Sequence, residues 1–316
     1  MVDRRVAARP AARVEWPTLC LILAVTAGWA AVTVFAASLG LAVAVPLLAV
    51  LVAFHSSLQH EVLHGHPTPA GWLNDALVFP AFGLFVPYER FRDTHLAHHR
   101  DPLLTDPYDD PESQYLDPTV WARLPRPLRA LLAANNTLVG RMAIGPLVGL
   151  FAFLRGDLAA LRAGDRAVAR AWALHGLGLV PVVAWLALLG TMPAWAYVLA
   201  AFAALSILRI RTFLEHRAHE RAPARSVIIE DRGPLALLFL NNNLHAVHHA
   251  HPRLPWYELP AAYAARREEF LRRNGGYRYG SYGEVFALYF LRRKEPVAHP
   301  VWTVGDRDGR RSATRP

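Results

Sequence analysis

Charge is missing from two long stretches of this 316-residue chain: no Asp, Glu, Lys or Arg occurs from Trp16 to His60, and none from Ala171 to Leu208. Cysteine is nearly missing too. Cys20 stands alone, which excludes an internal disulfide, a CxxC redox pair and any cysteine-ligated zinc or iron–sulfur site built within the chain. Lysine is reduced to Lys294, so arginine carries the net charge of +9. Charged residues make up 19% of the chain and the apolar set AVILMFWYC 53%, a balance that excludes disordered, collagen-like and disulfide-stapled classes. A basic chain of this kind serves nucleic acid or a membrane surface. No helix-turn-helix, finger or RNP pattern appears, so nucleic acid is not expected as a partner.

A helix needs about 20 apolar residues to cross the hydrocarbon core, so each uncharged run accommodates two crossings with a turn between them. Ser38, Leu39 and Gly40 mark the first turn and the stretch Gly190 to Pro193 the second. The expected spans are 17–37, 41–60, 171–190 and 193–214, with Arg209 and Arg211 snorkelling toward headgroups. The first run is too long for a cleaved signal peptide and reads as retained. Arg4, Arg5, Arg9 and Arg13 precede the first span, a basic segment joins the second to the third, and neither hairpin tip is charged. By the positive-inside bias, both termini and the central segment face the cytoplasm, as in a bacterial inner membrane. The expected fold is an all-α integral membrane protein: four transmembrane helices as two hairpins under a cytoplasmic helical cap, 61–170 and 215–295. It forms one domain, 1–295, followed by a polar, poorly ordered tail, 296–316. Trp72 to Val86 and Leu138 to Leu154 read as interfacial or re-entrant helices, and Asp101 to Pro127 as a cytoplasmic loop.

Fifteen histidines are present, and eleven fall in three short segments at or just beyond the expected cytoplasmic ends of the spans. These are His55, His60, His64 and His66; His95, His98 and His99; and His245, His248, His249 and His251. Residues at i, i+3 and i+4 share a helix face, so HLAHH at 95–99 and HAVHH at 245–249 each turn three imidazoles in one direction. His60 and His64 do the same for two, and His216, just after the fourth span, faces the same point. A tetrahedral zinc uses at most four ligands; nine imidazoles, His60, His64, His95, His98, His99, His216, His245, His248 and His249, call for two metal ions. His55 lies about 140° around the helix from His60 and is an alternative ligand. His66 suits a supporting position, His175 a helix contact and His219 a reserve ligand, while His251 and His299 are assigned no role.

HEVLH at 60–64, HLAHH at 95–99 and HAVHH at 245–249, around two apolar hairpins, resemble the three histidine boxes of the membrane fatty acid desaturase superfamily. The stretch NNNLHAVHHAHPRLPWYELP, Asn241 to Pro260, is similar to the third box of acyl-lipid desaturases and their carotenoid-modifying relatives. The resemblance runs from about the second span to Pro260. It implies two non-haem iron ions (Fe²⁺) held by the boxes, with His216 matching the further histidine after the fourth span. It also implies an O2-dependent oxidoreductase that introduces a double bond into a fatty acyl chain of a lipid.

The ligand chemistry agrees with iron, because neutral nitrogen ligands leave open positions for reducing O2, a step zinc cannot perform. Glu61, Asp93 and Glu215 stand next to the boxes as candidate acceptors for the outer N–H of ligating imidazoles. Asn241, Asn242 and Asn243 are placed to position a histidine or cap its helix. Hydroxylases and ketolases acting on a fatty acid, carotenoid or other long apolar substrate share the same boxes. A non-catalytic metal-binding membrane protein is the alternative outside enzymes, although the aliphatic spans offer no polar ion pathway. No GxGxxG, cysteine set or fused haem motif is present, so electrons come from an external ferredoxin, rubredoxin or cytochrome. The arginines between Arg123 and Arg170, with Arg266, Arg267, Arg272 and Arg273, offer such a carrier or lipid phosphates a basic surface.

Overall fold

A computed structural model describes residues 13–302; Arg4, Arg5 and Arg9 and the stretch 303–316 lie outside the described residues. Helix α1 (Trp16–Val34) starts with Pro17 in its first turn, where the missing N–H costs nothing. A single turn, Ala36–Leu39, leads to Gly40, whose φ of +75° reverses the chain into α2 (Leu41–Leu63). A short helix, Gly71–Leu77, precedes α3 (Tyr88–His98). The stretch Leu138 to Leu154 is two helices, α4 (Leu138–Ala143) and α5, which continues past it (Gly145–Arg162). Helix α6 (Arg166–Leu188) begins five residues before the expected span because the Asp165 carboxylate accepts from the N–H groups of Ala167 and Val168. Helix α7 (Ala194–Thr212) follows a short connector, and α8 (His245–Ala250) carries the last histidine segment. Two-residue parallel strands, β1 (Ile228–Ile229) and β2 (Arg278–Tyr279), pair beneath it. Among the described residues the other regular elements are helices, and α1, α2, α6 and α7 are those long and apolar enough to cross a membrane.

Aliphatic burial packs α7 along α2, through residues such as Leu48, Val52, Ala196, Ala200 and Ala204, all buried. The small alanines of α7 let the two backbones approach closely. Helix α6 leans instead on α3 and α5. Aromatic and polar contacts lock the far end: Trp29 stacks on Phe82 at 4.2 Å, its indole N–H donates to the Tyr197 hydroxyl at 2.9 Å, and that hydroxyl donates to the Phe82 carbonyl at 3.0 Å. The connectors meet there as well, since Thr191 N–H donates to the Thr33 carbonyl and Ala37 N–H to the Thr191 hydroxyl, both at 2.9 Å. Leu23, Val43, Leu47, Val180, Val183 and Val198 are exposed around the four helices, the apolar perimeter a lipid environment requires.

Residues 296–302, expected to open a poorly ordered tail, are held in place. Leu116 N–H donates to the Val297 carbonyl and His299 N–H to the Leu116 carbonyl, both at 2.9 Å. This clamps the acidic loop that follows α3.

Candidate metal centre

Four pieces of chain deliver the histidines to one end of the helix bundle. His60 sits in the last turn of α2 and His64 follows it; His95 and His98 are in α3 with His99 closing it; His245, His248 and His249 are in α8. His216 stands four residues beyond α7, fixed by a backbone bridge to Ser226. All nine are brought together, in two groups rather than one. The ligand nitrogens of His60, His64, His95, His99 and His248 lie within 4.8 Å of one another, and so do those of His98, His216, His245 and His249. Each HxxHH segment is therefore split: i and i+4 of 95–99 join one group and i+3 the other, and in 245–249 i+3 is again the one that parts company. The reading of three imidazoles turned in one direction needs that correction. At the short range of a ligand shell, the roughly 80° between i+3 and the bisector of i and i+4 is enough to separate two foci.

The outer nitrogens decide what the inner ones can do. His98 Nδ1 lies 2.8 Å from the Asp110 carboxylate and His95 Nδ1 3.0 Å from that of Glu112. His245 Nδ1 is 3.1 Å from Asn242 Oδ1, and the Asn242 amide N–H donates to Glu215 at 2.9 Å, which fixes the amide's orientation. Carboxylates and amide oxygens only accept, so each of these imidazoles carries its proton on Nδ1 and presents a bare Nε2 inward when neutral. Those Nε2 atoms then face one another: His98 to His216 at 2.8 Å, His216 to His245 at 3.0 Å, His95 to His99 at 3.0 Å and His99 to His248 at 3.1 Å. Among the described residues, the buried Nε2 atoms of His60 and His64 have no hydrogen-bond partner. Nitrogens converged this closely, with the orphaned Nε2 atoms of His60 and His64 beside them, form an arrangement that a cation relieves, so the residues fit a pair of nitrogen-ligated metal ions.

Electrostatics keep most of the set neutral. Burial, followed by the mutual repulsion of neighbouring imidazolium charges, holds His64, His99, His216, His245 and His248 well below the usual histidine range. His98 differs: burial opposes its charge, but the Glu112 and Asp110 carboxylates outweigh it and raise the imidazole to about 9. Glu112 is correspondingly held well below the carboxylate range, its burial outweighed by His95 and His98. Burial pushes Glu215 upward, with Arg211 pulling the other way from 3.1 Å.

Of the three carboxylates expected to support the imidazoles, Glu215 is close, 3.9 Å from His245 Nδ1 and relayed through Asn242. Glu61 instead accepts the Trp256 N–H at 2.8 Å and faces His66. Asp93 is part-exposed and pairs with Arg92 at 3.2 Å, contacting no imidazole of the two groups. Asp110 and Glu112 take those places from within the segment read only as a cytoplasmic loop. The run DPYDDPE, soon after the second box, was the available signal.

The other histidines stay apart. His55 packs on Phe82, His66 pairs with Glu15 at 2.8 Å, and His175 bonds the Leu84 carbonyl at 2.8 Å. His219 accepts the Arg221 N–H, His251 lies against Arg266, and His299 lies against Thr105. Arg267 is paired with Glu230, and Arg272 and Arg273 face Glu268 and Glu269, so part of the expected basic surface is internally answered.

A cavity of about 750 Å³ opens beside the second group, touching His98, Glu112, Glu215 and His216. From there it runs between α2, α5, α6 and α7 past Val52, Phe153, Ala201, Ala204 and Leu205. No curated protein matches the chain. The model of the family described as fatty acid desaturase matches residues 36–281, a stretch that contains all three histidine segments, His216 and the helices that hold them, and the chain thus belongs to the fatty acid desaturase family.

Proposed function

We propose that this protein is a multi-pass membrane enzyme that uses two non-haem iron ions and O2 to introduce a double bond into a fatty acyl chain of a lipid. The observation that carries the reading is the partition of nine imidazoles into a group of five and a group of four, with Asp110, Glu112 and Glu215 against their outer nitrogens. His60, His64, His95, His99 and His248 would hold one iron, and His98, His216, His245 and His249 the other. Bound there, the two ions supply the reduction of O2 and the removal of hydrogen from an unactivated C–H bond.

The chain's own residues prepare that chemistry. Asp110, Glu112 and Asn242 keep the Nδ1 protons in place and so aim the Nε2 lone pairs inward. The apolar reach of the cavity past Val52, Phe153, Ala201, Ala204 and Leu205 suits a hydrocarbon chain. A saturated –CH2–CH2– unit, O2, two electrons and two protons become –CH=CH– and two waters, and the electrons come from a separate ferredoxin, rubredoxin or cytochrome. The two hairpins, the cytoplasmic cap over 61–170 and 215–295 and the inward-facing termini belong to the same reading, on the positive-inside bias.

Metal analysis of anaerobically purified protein is expected to give about two irons per chain. Lipid profiling of a host expressing the gene is expected to show products lighter by two hydrogens. His98→Ala and His248→Ala should each lose product while inserting normally. Activity with a single zinc, or turnover retained in both variants, would sink the proposal; a product gaining one oxygen would assign the same centre to hydroxylation.

A further inference from the structure

Both arginines near the end of α7 turn inward rather than toward headgroups. Arg211 is buried and engages Glu215. Arg209 lines the cavity, and among the described residues no hydrogen bond or ion pair engages its guanidinium. Arg141, buried on α4 and lining the same cavity, is held by the Asn135 carbonyl, by Gln114 and by Asn136, all neutral groups. Burial and the facing charge of Arg209 both disfavour its cationic form. The nearby carboxylates are committed elsewhere, Glu112 to His95 and Glu215 to Arg211 and Asn242. Lys294, the remaining cation on this wall, is answered by Glu295 at 3.0 Å.

Helix α5 is shaped to admit the pair. Gly145 and Gly149 are one turn apart on one face. A side chain at Gly145 would press on the Arg141 stem, and one at Gly149 would collide with the Arg209 guanidinium. Two guanidinium groups beside one cavity, neither hydrogen-bonded to a carboxylate among the described residues, are costly unless an anion completes them. Guanidinium forks match carboxylate and phosphate oxygens, and the adjoining cavity has an apolar stretch past Val52, Phe153, Ala201, Ala204 and Leu205.

We propose that Arg209 and Arg141 form a head-group site, seating the carboxylate or phosphate of an anionic amphiphile whose hydrocarbon chain occupies the cavity beside the histidines. This rests on the reading of the cavity as the substrate channel. It narrows the substrate to amphiphiles that present an oxyanion at the inner wall, free fatty acid or acidic phospholipid, over neutral esters and hydrocarbons.

The test is binding to the full-length protein in nonionic detergent, read by thermal stability and needing neither turnover nor iron. Stearate is compared with methyl stearate, and phosphatidic acid with diacylglycerol. In the wild type at least one acidic member should bind about ten-fold tighter than its neutral counterpart, the ratio a charged hydrogen bond sustains. The pair that discriminates tells carboxylate from phosphate. Arg209→Gln should bring that ratio close to one. Gly149→Asp, which sets an internal carboxylate against Arg209 and pushes the guanidinium aside, should remove the discrimination, and it decides the matter if the glutamine variant does not fold. Equal binding within both pairs, or discrimination undiminished in Gly149→Asp, overturns the head-group site. The iron count and lipid profile are independent of this result, so either reading can fail alone.

Discussion

His98 Nδ1 and Asp110 Oδ1 lie 2.8 Å apart, both side chains buried, across the turn that carries the chain out of α3. Asp110 does more than hold an imidazole. Its carboxylate also accepts the N–H groups of Thr105 and Glu112, at 2.8 and 2.9 Å, so it anchors the loop that brings Glu112 to His95. Asp110→Asn keeps the shape and loses the charge. The expected outcome is a loss of metal affinity of about 10- to 100-fold with helix content intact. Iron retained against a graded chelator series measures it, and wild-type retention would refute the role.

Proton release on metal loading follows from the same pair. The metal-free imidazole of His98 is raised to about 9 and stays protonated at neutral pH, whereas an imidazole must offer a bare nitrogen to a metal. Loading the second group near pH 7.5 should therefore release about one proton per chain, and affinity should climb with pH until about 9. Ferrous titration in weakly buffered anaerobic solution with a pH indicator reads the release directly. A pH-independent affinity with no release would contradict it.

Much of the site was legible in the sequence for a physical reason. Helical periodicity places His95 with His99 and His245 with His249, and charge-free runs of this length have few fates outside a lipid environment. The membership of each group was not legible, because splitting HxxHH between two foci depends on how α3 and α8 face α2. Nor were Asp110 and Glu112. A loop side chain has no period to betray its direction, whereas Asp93 sits beside a box in sequence and yet points to Arg92. Arg209 misled likewise: snorkelling is the default at a helix end, and only the glycine face of α5 gives it an inward alternative.

Packing around α4 gives a test of stability alone. A Cβ at Gly140 would collide with the backbone carbonyl of Ala134, which cannot swing aside, while one at Gly156 meets nothing. Gly140→Ala should destabilise by about 1–3 kcal/mol. Gly156→Ala, inside α5, should stabilise by about 0.5–1 kcal/mol. Thermal unfolding in detergent ranks the two against wild type, and a reversed order would show that the close approach is absent.

Acid sensitivity should have a local contribution at Glu230. The Arg267 guanidinium donates to it from 2.6 Å, and despite some burial this bond, with those from Tyr263 and Arg278, holds the carboxyl down to about 2. A carboxyl lowered in the folded state stabilises fully above its ordinary range and loses that contribution as pH falls toward about 2. Glu230→Gln should therefore unfold at lower temperature than wild type at neutral pH, with the gap closing as acid is added. A gap that stays constant with pH would rule out the ionic contribution.

The two histidine groups also differ in when the growing chain can supply them. His60, His64, His95 and His99 have all been synthesised before α6 exists, so the first group waits only for His248. The second has His98 alone until α7 is complete, then His216, and stays half-built until α8 emerges. His99 and His248, 149 residues apart, finally meet at 3.1 Å. A ribosome making this protein thus releases a four-nitrogen pocket early and its neighbour last. A chain cut short before α8 would keep four nitrogens of the first group and only His98 and His216 of the second.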